Sequence, residues 1–126
     1  MKKVVYTPDA PDAVGPYSQA ILANGTLYAS GQIAIDPKSG RLITSHITDE
    51  THRVMKNLKA VLSAANMDFS DVLKCTIFLK DMNQYAAINT VYATYFDENP
   101  PAREAVQVSV LPKNVNIEIS LMASKQ

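Results

Sequence analysis

The sequence contains few of the residues that build metal, nucleotide and disulfide sites. Its single cysteine, Cys75, cannot form an intrachain disulfide, and its two histidines, His46 and His52, lack the spacing of a zinc site. Four glycines are too scattered for a phosphate-binding loop, and no serine stands in a Gly-x-Ser-x-Gly elbow. Metal, nucleotide and serine-triad chemistry are therefore not expected.

Net charge and long apolar runs are also absent. Twelve Lys and Arg balance twelve Asp and Glu, which removes the positive charge typical of nucleic-acid-binding proteins and leaves self-association unopposed. No segment approaches the ~20 apolar residues of a membrane helix, and the apolar stretch near the N-terminus is too short for a signal peptide. Together with the single cysteine, these features favour a reducing compartment and predict a cytoplasmic protein.

The composition is that of a globular domain. Hydrophobic residues make up 47% of the 126 residues and charged residues 19%. A chain of this length buries roughly two-thirds of the surface that it exposes when unfolded, so it folds without covalent links. Because no internal repeat or linker is visible, we expect one domain over residues 1–126.

The first third of the sequence is typical of β-strands joined by tight turns. Asn24-Gly25 predicts a hairpin because both residues tolerate positive φ, and the segment from Asp36 to Gly40 predicts a second turn. The predicted strands in this part are residues 4–7, 18–23 and 26–34.

Two amphipathic helices and three further strands are predicted in the remainder. Thr48 is a candidate N-cap, Asp49 and Glu50 suit the first turn of a helix, Asn66 suits a left-handed C-cap, and Asp81 a second N-cap. The predicted helices are residues 48–65 and 82–96, and the strands are 72–79, 105–110 and 116–123, with a turn over 111–114. This order predicts an α+β fold with a six-stranded mixed sheet and both helices on one face.

The other face of the predicted sheet carries little charge, with Lys74 and Glu118 almost its only charged residues. A solvated sheet face usually carries more charge than this, so we predict that it is buried against other copies of the chain. Its remaining members are Ser30, Gln32, Thr76, Phe78, Gln107, Ser109, Ser120 and Met122.

Three segments differ from ordinary structural sequence. A rigid turn precedes a strand in Gly15-Pro16-Tyr17-Ser18-Gln19, a glycine interrupts a strand in Ser30-Gly31-Gln32, and a cation follows a stiff turn in Pro100-Pro101-Ala102-Arg103. Each also has a structural explanation, because Arg103 could be a solvated charge at a strand end and Glu118 could point to water. Cys75 shares an apolar stripe with its neighbours in the predicted strand and is interpreted as an inert core thiol.

Taken together, the motifs resemble the Rid family, the reactive intermediate deaminases, over almost the whole chain. The segments that carry the resemblance are Gly15-Pro16-Tyr17-Ser18-Gln19, Ser30-Gly31-Gln32-Ile33, Asn57 to Leu62, Pro101-Ala102-Arg103, Leu111-Pro112 and Ile117-Glu118-Ile119. Their order and spacing match as well, and the pattern is most similar to the RidA branch, which has both the arginine and the late glutamate.

The resemblance implies a chorismate-mutase-like α+β fold that assembles as a homotrimer, with active sites between subunits. It implies hydrolysis of 2-imino acids and their enamine tautomers, such as 2-iminobutanoate and 2-iminopropanoate, to 2-oxo acids and ammonia. The family uses no cofactor, which agrees with the missing motifs. Neither a nucleic acid nor a membrane is expected as a partner.

Residue roles follow from matching the family motifs. Arg103 is expected to hold the substrate carboxylate through two parallel hydrogen bonds, and Glu118 to orient and deprotonate the attacking water. Two neighbours of the arginine depart from the family pattern: Ala105 stands where many relatives have cysteine, and Glu104 adds a negative charge beside the carboxylate clamp. The expected substrate-binding residues are Tyr17, Ser30, Gly31, Asn89 and Ala105.

A simple hairpin of the last two strands would place Ser109 opposite Glu118. Arg103 would then lie about 20 Å from Glu118 along the strands at ~3.3 Å per residue, too far for one small substrate. Either these strands do not form a simple hairpin, or the two residues meet across an interface.

Two other functions remain open alongside the enzyme. The same pocket could serve a ligand-sensing or regulatory protein without turnover. Members of the family have also been linked to ribonuclease activity and translation inhibition, but zero net charge and only two histidines argue against that activity here.

Overall fold

Six strands and two α-helices form the regular structure of the chain. The computed structural model describes all of residues 1–126. The elements in chain order are β1 (Lys3–Val5), β2 (Ala20–Ala23), β3 (Thr26–Gln32), α1 (Ile47–Ala64), β4 (Val72–Leu79), α2 (Tyr85–Ala93), β5 (Ala102–Gln107) and β6 (Ile117–Ser124).

The strands form one mixed sheet in the order β1-β2-β3-β6-β4-β5. β4 and β5 are parallel, and every other neighbouring pair is antiparallel. The parallel pair requires a crossover connection, which α2 provides. The predicted α+β class, with six strands in a mixed sheet and two helices, is therefore confirmed.

The last two strands do not form a simple hairpin, which was one of the two alternatives left open by the sequence. β4 lies between β5 and β6, because the Leu79 carbonyl accepts a hydrogen bond from Val108 N while Lys80 N donates to the Asn116 carbonyl. Residues 108–116 instead form a longer connection containing a 3₁₀ turn, in which Lys113 and Asn114 have φ of 55° and 56°. β5 also begins earlier than predicted, so Arg103 is the second residue of a strand.

Both helices pack against one face of the sheet. The core contains 22 buried residues, contributed by this face and by the apolar stripes of the helices. From α1 it includes Val54, Leu58 and Leu62, and from α2 it includes Ile88 and Tyr92. The Asn24-Gly25 hairpin between β2 and β3 and the left-handed Asn66 after α1, with φ of 59°, both occur as predicted.

The helix starts differ from the predictions. The N-cap of α1 is His46 rather than Thr48, and it makes no side-chain capping bond. The second predicted helix begins as a 3₁₀ turn, Met82–Gln84, in which the Asp81 carboxylate accepts from Asn83 N at 2.9 Å. The α-helix itself ends at Ala93, three residues before the predicted end at Phe96.

Two β-bulges alter which side chains point to the core. A register shift between Val72 and Lys74 leaves Leu73 46% exposed, so it does not share the buried stripe of Cys75. A second shift between Ala29 and Gln32 turns Gln32 inward, and it is 6% exposed. Gln32 was therefore assigned to the wrong face.

The face without helices, called here the open face, also differs at β5. Gln107 pairs with the buried Leu79 and so lies toward the helices, while Ser109 falls outside the strand. Glu104 and Val106 take their places on the open face, opposite Thr76 and Phe78. No helix is long and apolar enough to span a membrane.

Candidate functional site

Arg103 lies between β5 and α2 and is held there by two tyrosines. Its Nη2 donates a hydrogen bond to the Tyr85 hydroxyl at 2.6 Å. The guanidinium carbon lies 5.4 Å from the ring centroid of Tyr85 and 4.9 Å from that of Tyr92, within range of cation–π attraction. Neither ion pair of the chain involves Arg103, so its charge has no carboxylate partner.

A cavity of about 380 Å³ opens beside this arginine. Its wall includes Arg103, Asn89 and Tyr92, together with the rigid Pro100-Pro101 segment. The side-chain oxygen of Asn89 is buried and has no hydrogen-bond partner. The structure thus places the predicted residues Arg103 and Asn89 on one cavity, whose wall carries a cation without a carboxylate partner.

The layer beneath Arg103 is apolar and closed. Cys75 is its register partner on β4 and is fully buried, and burial raises the pKa of this thiol. Burial also raises the pKa of the Tyr92 hydroxyl. Because a thiol reacts through its thiolate, Cys75 suits the predicted role of an inert core residue.

Glu118 lies on the open face and packs against Gly31. A Cβ on Gly31 would lie 2.8 Å from Cδ of Glu118 and closer still to Oε2, so any other residue at position 31 would displace the Glu118 side chain. The sequence suggested that Gly31 admits a ligand or a backbone, whereas the structure places a carboxylate there. Burial raises the pKa of Glu118, and it has no cationic partner.

Tyr17 lines a second cavity together with Gly31, the residue against which Glu118 packs. This cavity, about 330 Å³, is lined by Tyr17 and Gly31 among other residues. The hydroxyl of Ser30 donates to the Ser18 carbonyl at 2.7 Å, and Ser30 N donates to the Gln19 carbonyl at 3.0 Å. Ser30 therefore fastens the Tyr17 segment to β3.

Three buried polar residues that support the site were not singled out from sequence. Gln19 accepts from Thr7 N and donates to the carbonyls of Thr7, Ala10 and Pro11, which shapes the loop before Tyr17. The Asn57 amide donates to the carbonyls of Ile33 and Ile35. The carboxylate of Glu50 accepts from Asn116 N, Asn116 Nδ2 and Ile117 N. Gln19 and Asn57 belong to segments that carry the family resemblance, but the sequence does not indicate that their side chains are buried.

The predicted site is thus divided between the two faces of the sheet. Arg103 is the partner of the core-facing Cys75, and Glu118 is the partner of Phe78 on the open face. With β4 between them and a three-residue offset along it, their Cα atoms are about 14 Å apart by strand spacing. Because the sheet separates the two side chains, one small molecule cannot touch both in a single chain.

Glu104 and Ala105, the two residues beside Arg103 that depart from the family pattern, point to opposite faces of the sheet. Glu104 points away from Arg103 and forms an ion pair with Lys74 Nζ at 3.2 Å on the open face. Its charge is therefore paired with a lysine and lies on the face opposite the Arg103 side chain. Ala105 faces the core opposite Ile77, so it can offer a ligand only its backbone groups.

No group of three or more His, Cys, Asp or Glu side chains comes together in a way that could hold a metal ion. His52 Nδ1 instead lies 2.7 Å from the Tyr95 hydroxyl.

Comparison with known proteins gives the family. Residues 7–125 match the model described as Endoribonuclease L-PSP. The RutC family protein of Pyrococcus horikoshii is 52% identical over 126 residues, which are 100% of both chains. The rat protein named 2-iminobutanoate/2-iminopropanoate deaminase is 46% identical over 123 residues, 98% of this chain and 90% of the rat protein. A Yersinia pestis crystal structure, described as a protein of unknown function of the conserved Rid family, has a TM-score of 0.96 at 45% identity, covering 99% of this chain and 100% of that one. The chain therefore belongs to the L-PSP family, the family that contains the Rid proteins.

Proposed function

We propose that this protein hydrolyses 2-imino acids and their enamine tautomers to 2-oxo acids and ammonia. The observation that carries the proposal is Arg103, a half-buried arginine with no carboxylate partner, oriented by two tyrosines beside a cavity. A planar guanidinium suits a carboxylate because it offers two parallel N–H donors. The name of the rat relative supports this substrate class.

The reaction needs a carboxylate clamp and a base for water. With the substrate carboxylate on Arg103, water adds to the C=N carbon and gives up a proton to Glu118. Glu118 returns this proton to the imine nitrogen as the C=N π pair moves there, which gives a carbinolamine. The proton of the carbinolamine hydroxyl then passes through Glu118 to the nitrogen as the C–N bond breaks, so ammonia leaves and the carbonyl forms. Imines hydrolyse in water without help, so a positioned substrate and one base are enough to accelerate this reaction, and no cofactor is needed.

We further propose that each complete site is formed between two copies of the chain in a homotrimer. Since the sheet separates Arg103 from Glu118, the arginine of one copy would meet the glutamate of the next. The open face supports such an assembly, because Tyr28 is 49% exposed and Val106 45% exposed there. Tyr17 and Gly31 would then complete the pocket from the Glu118 side, and Asn89 and the Ala105 backbone from the Arg103 side.

The first test is release of 2-oxobutanoate while threonine dehydratase acts on threonine, under conditions in which free imine hydrolysis is slow. We expect the wild-type protein to accelerate release and Arg103→Ala to lose at least about 100-fold of that acceleration, since a charge-assisted bidentate clamp is removed. Arg41→Ala is the matched control, because Arg41 is exposed in a loop away from both cavities. No acceleration by the correctly folded wild type would contradict the proposal and favour a non-catalytic ligand-binding protein.

A further inference from the structure

Tyr85 contacts Arg103, the proposed carboxylate clamp, but the proposed function gives Tyr85 no role. Arginine has five N–H donors, and the Tyr85 hydroxyl accepts one of them from Nη2 at 2.6 Å. In a contact of this kind the tyrosine fixes the rotation of the guanidinium and leaves its other N–H groups free. We infer that Tyr85 is a positioning residue, which holds Arg103 so that one edge of the guanidinium faces the substrate carboxylate; this inference rests on the proposed function.

The start of α2 is fastened to the strand that carries Arg103. Tyr85 is the first residue of α2, directly after the 3₁₀ turn Met82–Gln84. Met82 N donates to Gln107 Oε1 at 2.7 Å, and Gln107 ends β5. The tyrosine hydroxyl is therefore held at a fixed distance from β5, which makes it a rigid reference point for a long, flexible arginine side chain.

The rings and the hydroxyl constrain Arg103 differently. Cation–π attraction to Tyr85 and Tyr92 keeps the guanidinium near both rings, but it does not select one rotation within the guanidinium plane. The hydrogen bond to the Tyr85 hydroxyl is directional and does select one. Removing only the hydroxyl should therefore keep the arginine in place and lose its orientation.

Tyr85→Phe tests this inference in two ways, with Tyr95→Phe as the matched control. Tyr95 also loses a hydroxyl with one partner, His52, but lies away from Arg103. For Tyr85→Phe we expect calorimetry to show about ten-fold weaker binding of 2-oxobutanoate, the product that carries the same carboxylate, and kcat/KM to fall by a similar factor. Tyr95→Phe should bind 2-oxobutanoate as the wild type does.

The second readout follows the arginine directly. In ¹⁵N NMR spectra, a guanidinium held by a directional hydrogen bond gives separate Nη signals, and a freely rotating one gives an averaged signal. We expect resolved Arg103 signals in the wild type, assigned by their loss in Arg103→Lys, and averaged signals in Tyr85→Phe. Equal affinity and equal spectra in Tyr85→Phe and the wild type would overturn the inference. If the wild type neither accelerates imine hydrolysis nor binds 2-oxobutanoate, the proposed function fails, and the NMR comparison still decides whether Tyr85 orients Arg103.

Discussion

Glu118 lies in an environment unlike that of an ordinary surface carboxylate. Sequence alternation in β6 favoured a water-facing side chain, but the structure packs Glu118 against Gly31, where burial raises its pKa. A raised pKa suits a general base, because it strengthens the proton affinity of the ionised form. The acid limb of the pH profile should therefore follow the ionisation of Glu118.

We predict that the acid limb of the kcat/KM profile lies above the ordinary pKa of a glutamate. Glu118 must be ionised to accept a proton, so activity falls as the pH drops through its raised pKa. Stability changes in the opposite sense: between the ordinary and the raised pKa the folded state binds more protons than the unfolded state, so lowering the pH stabilises it. A pH series of kcat/KM and of urea unfolding measures both trends.

Substitution of Glu118 distinguishes the effect of its ionisation on kcat/KM and stability from the effect of acid on the rest of the protein. Glu118→Gln should abolish the acceleration and should be at least as stable as the wild type at neutral pH, with the difference shrinking below the ordinary pKa of glutamate. Glu104→Gln, on the same face but paired with Lys74, should keep the acid limb in place. An acid limb at the ordinary glutamate pKa would contradict the role given to Glu118.

At the scale of elements, the start of β6 depends on a buried carboxylate in α1. Glu50 is fully buried and accepts three hydrogen bonds from Asn116 and Ile117, just before Glu118. Glu50→Ala would leave these donors without acceptors, and we predict a loss of about 3 kcal/mol in the free energy of unfolding. Asp49→Ala, an exposed change in the same helical turn, should stay within about 0.5 kcal/mol. Urea denaturation at a fixed chain concentration measures the free energy of unfolding of both variants. Equal losses in the two variants would show that Glu50 stabilises the fold only as a negative charge in the first turn of α1, and not through its hydrogen bonds to Asn116 and Ile117.

The sequence predicted most helices and strands correctly, but it did not predict which strands pair with each other. α1 and the Asn24-Gly25 hairpin were predictable because apolar spacing and turn chemistry are local properties. The position of β4 between β5 and β6 depends on long-range pairing, which the turn residues at Lys113-Asn114 do not determine. Bulges were equally hidden, because a shift of one residue moves a side chain such as Gln32 to the other face.

The candidate site was predictable only as a set of residues. Motif matching supplied Arg103 and Glu118, but only the observed strand register shows that they lie on opposite faces of the sheet. The contact between Tyr85 and Arg103 was not predictable, because it joins residues that are 18 positions apart. Glu50 and Gln19 give no sequence signal, since burial of a polar residue depends on the partners that the fold supplies.

At the scale of the whole molecule, the proposed homotrimer would make assembly part of catalysis, because Arg103 and Glu118 lie on opposite faces of the sheet. We expect light scattering to give three times the 13.8 kDa chain mass. Arg103→Ala and Glu118→Ala chains should each be inactive alone. When they are unfolded together in equal amounts and refolded, random trimers should recover about one quarter of the wild-type activity, because one neighbour pair in four joins an intact arginine to an intact glutamate.

The matched control for this mixture combines Arg103→Ala chains with chains that carry both substitutions. No neighbour pair in that mixture has an intact arginine, so activity should stay at the background level. Native mass spectrometry would verify that mixed trimers form in both samples. Mixed trimers of the two single variants without recovered activity would contradict the shared site, and Glu118 would then need a different role, since the sheet keeps it from Arg103 within one chain.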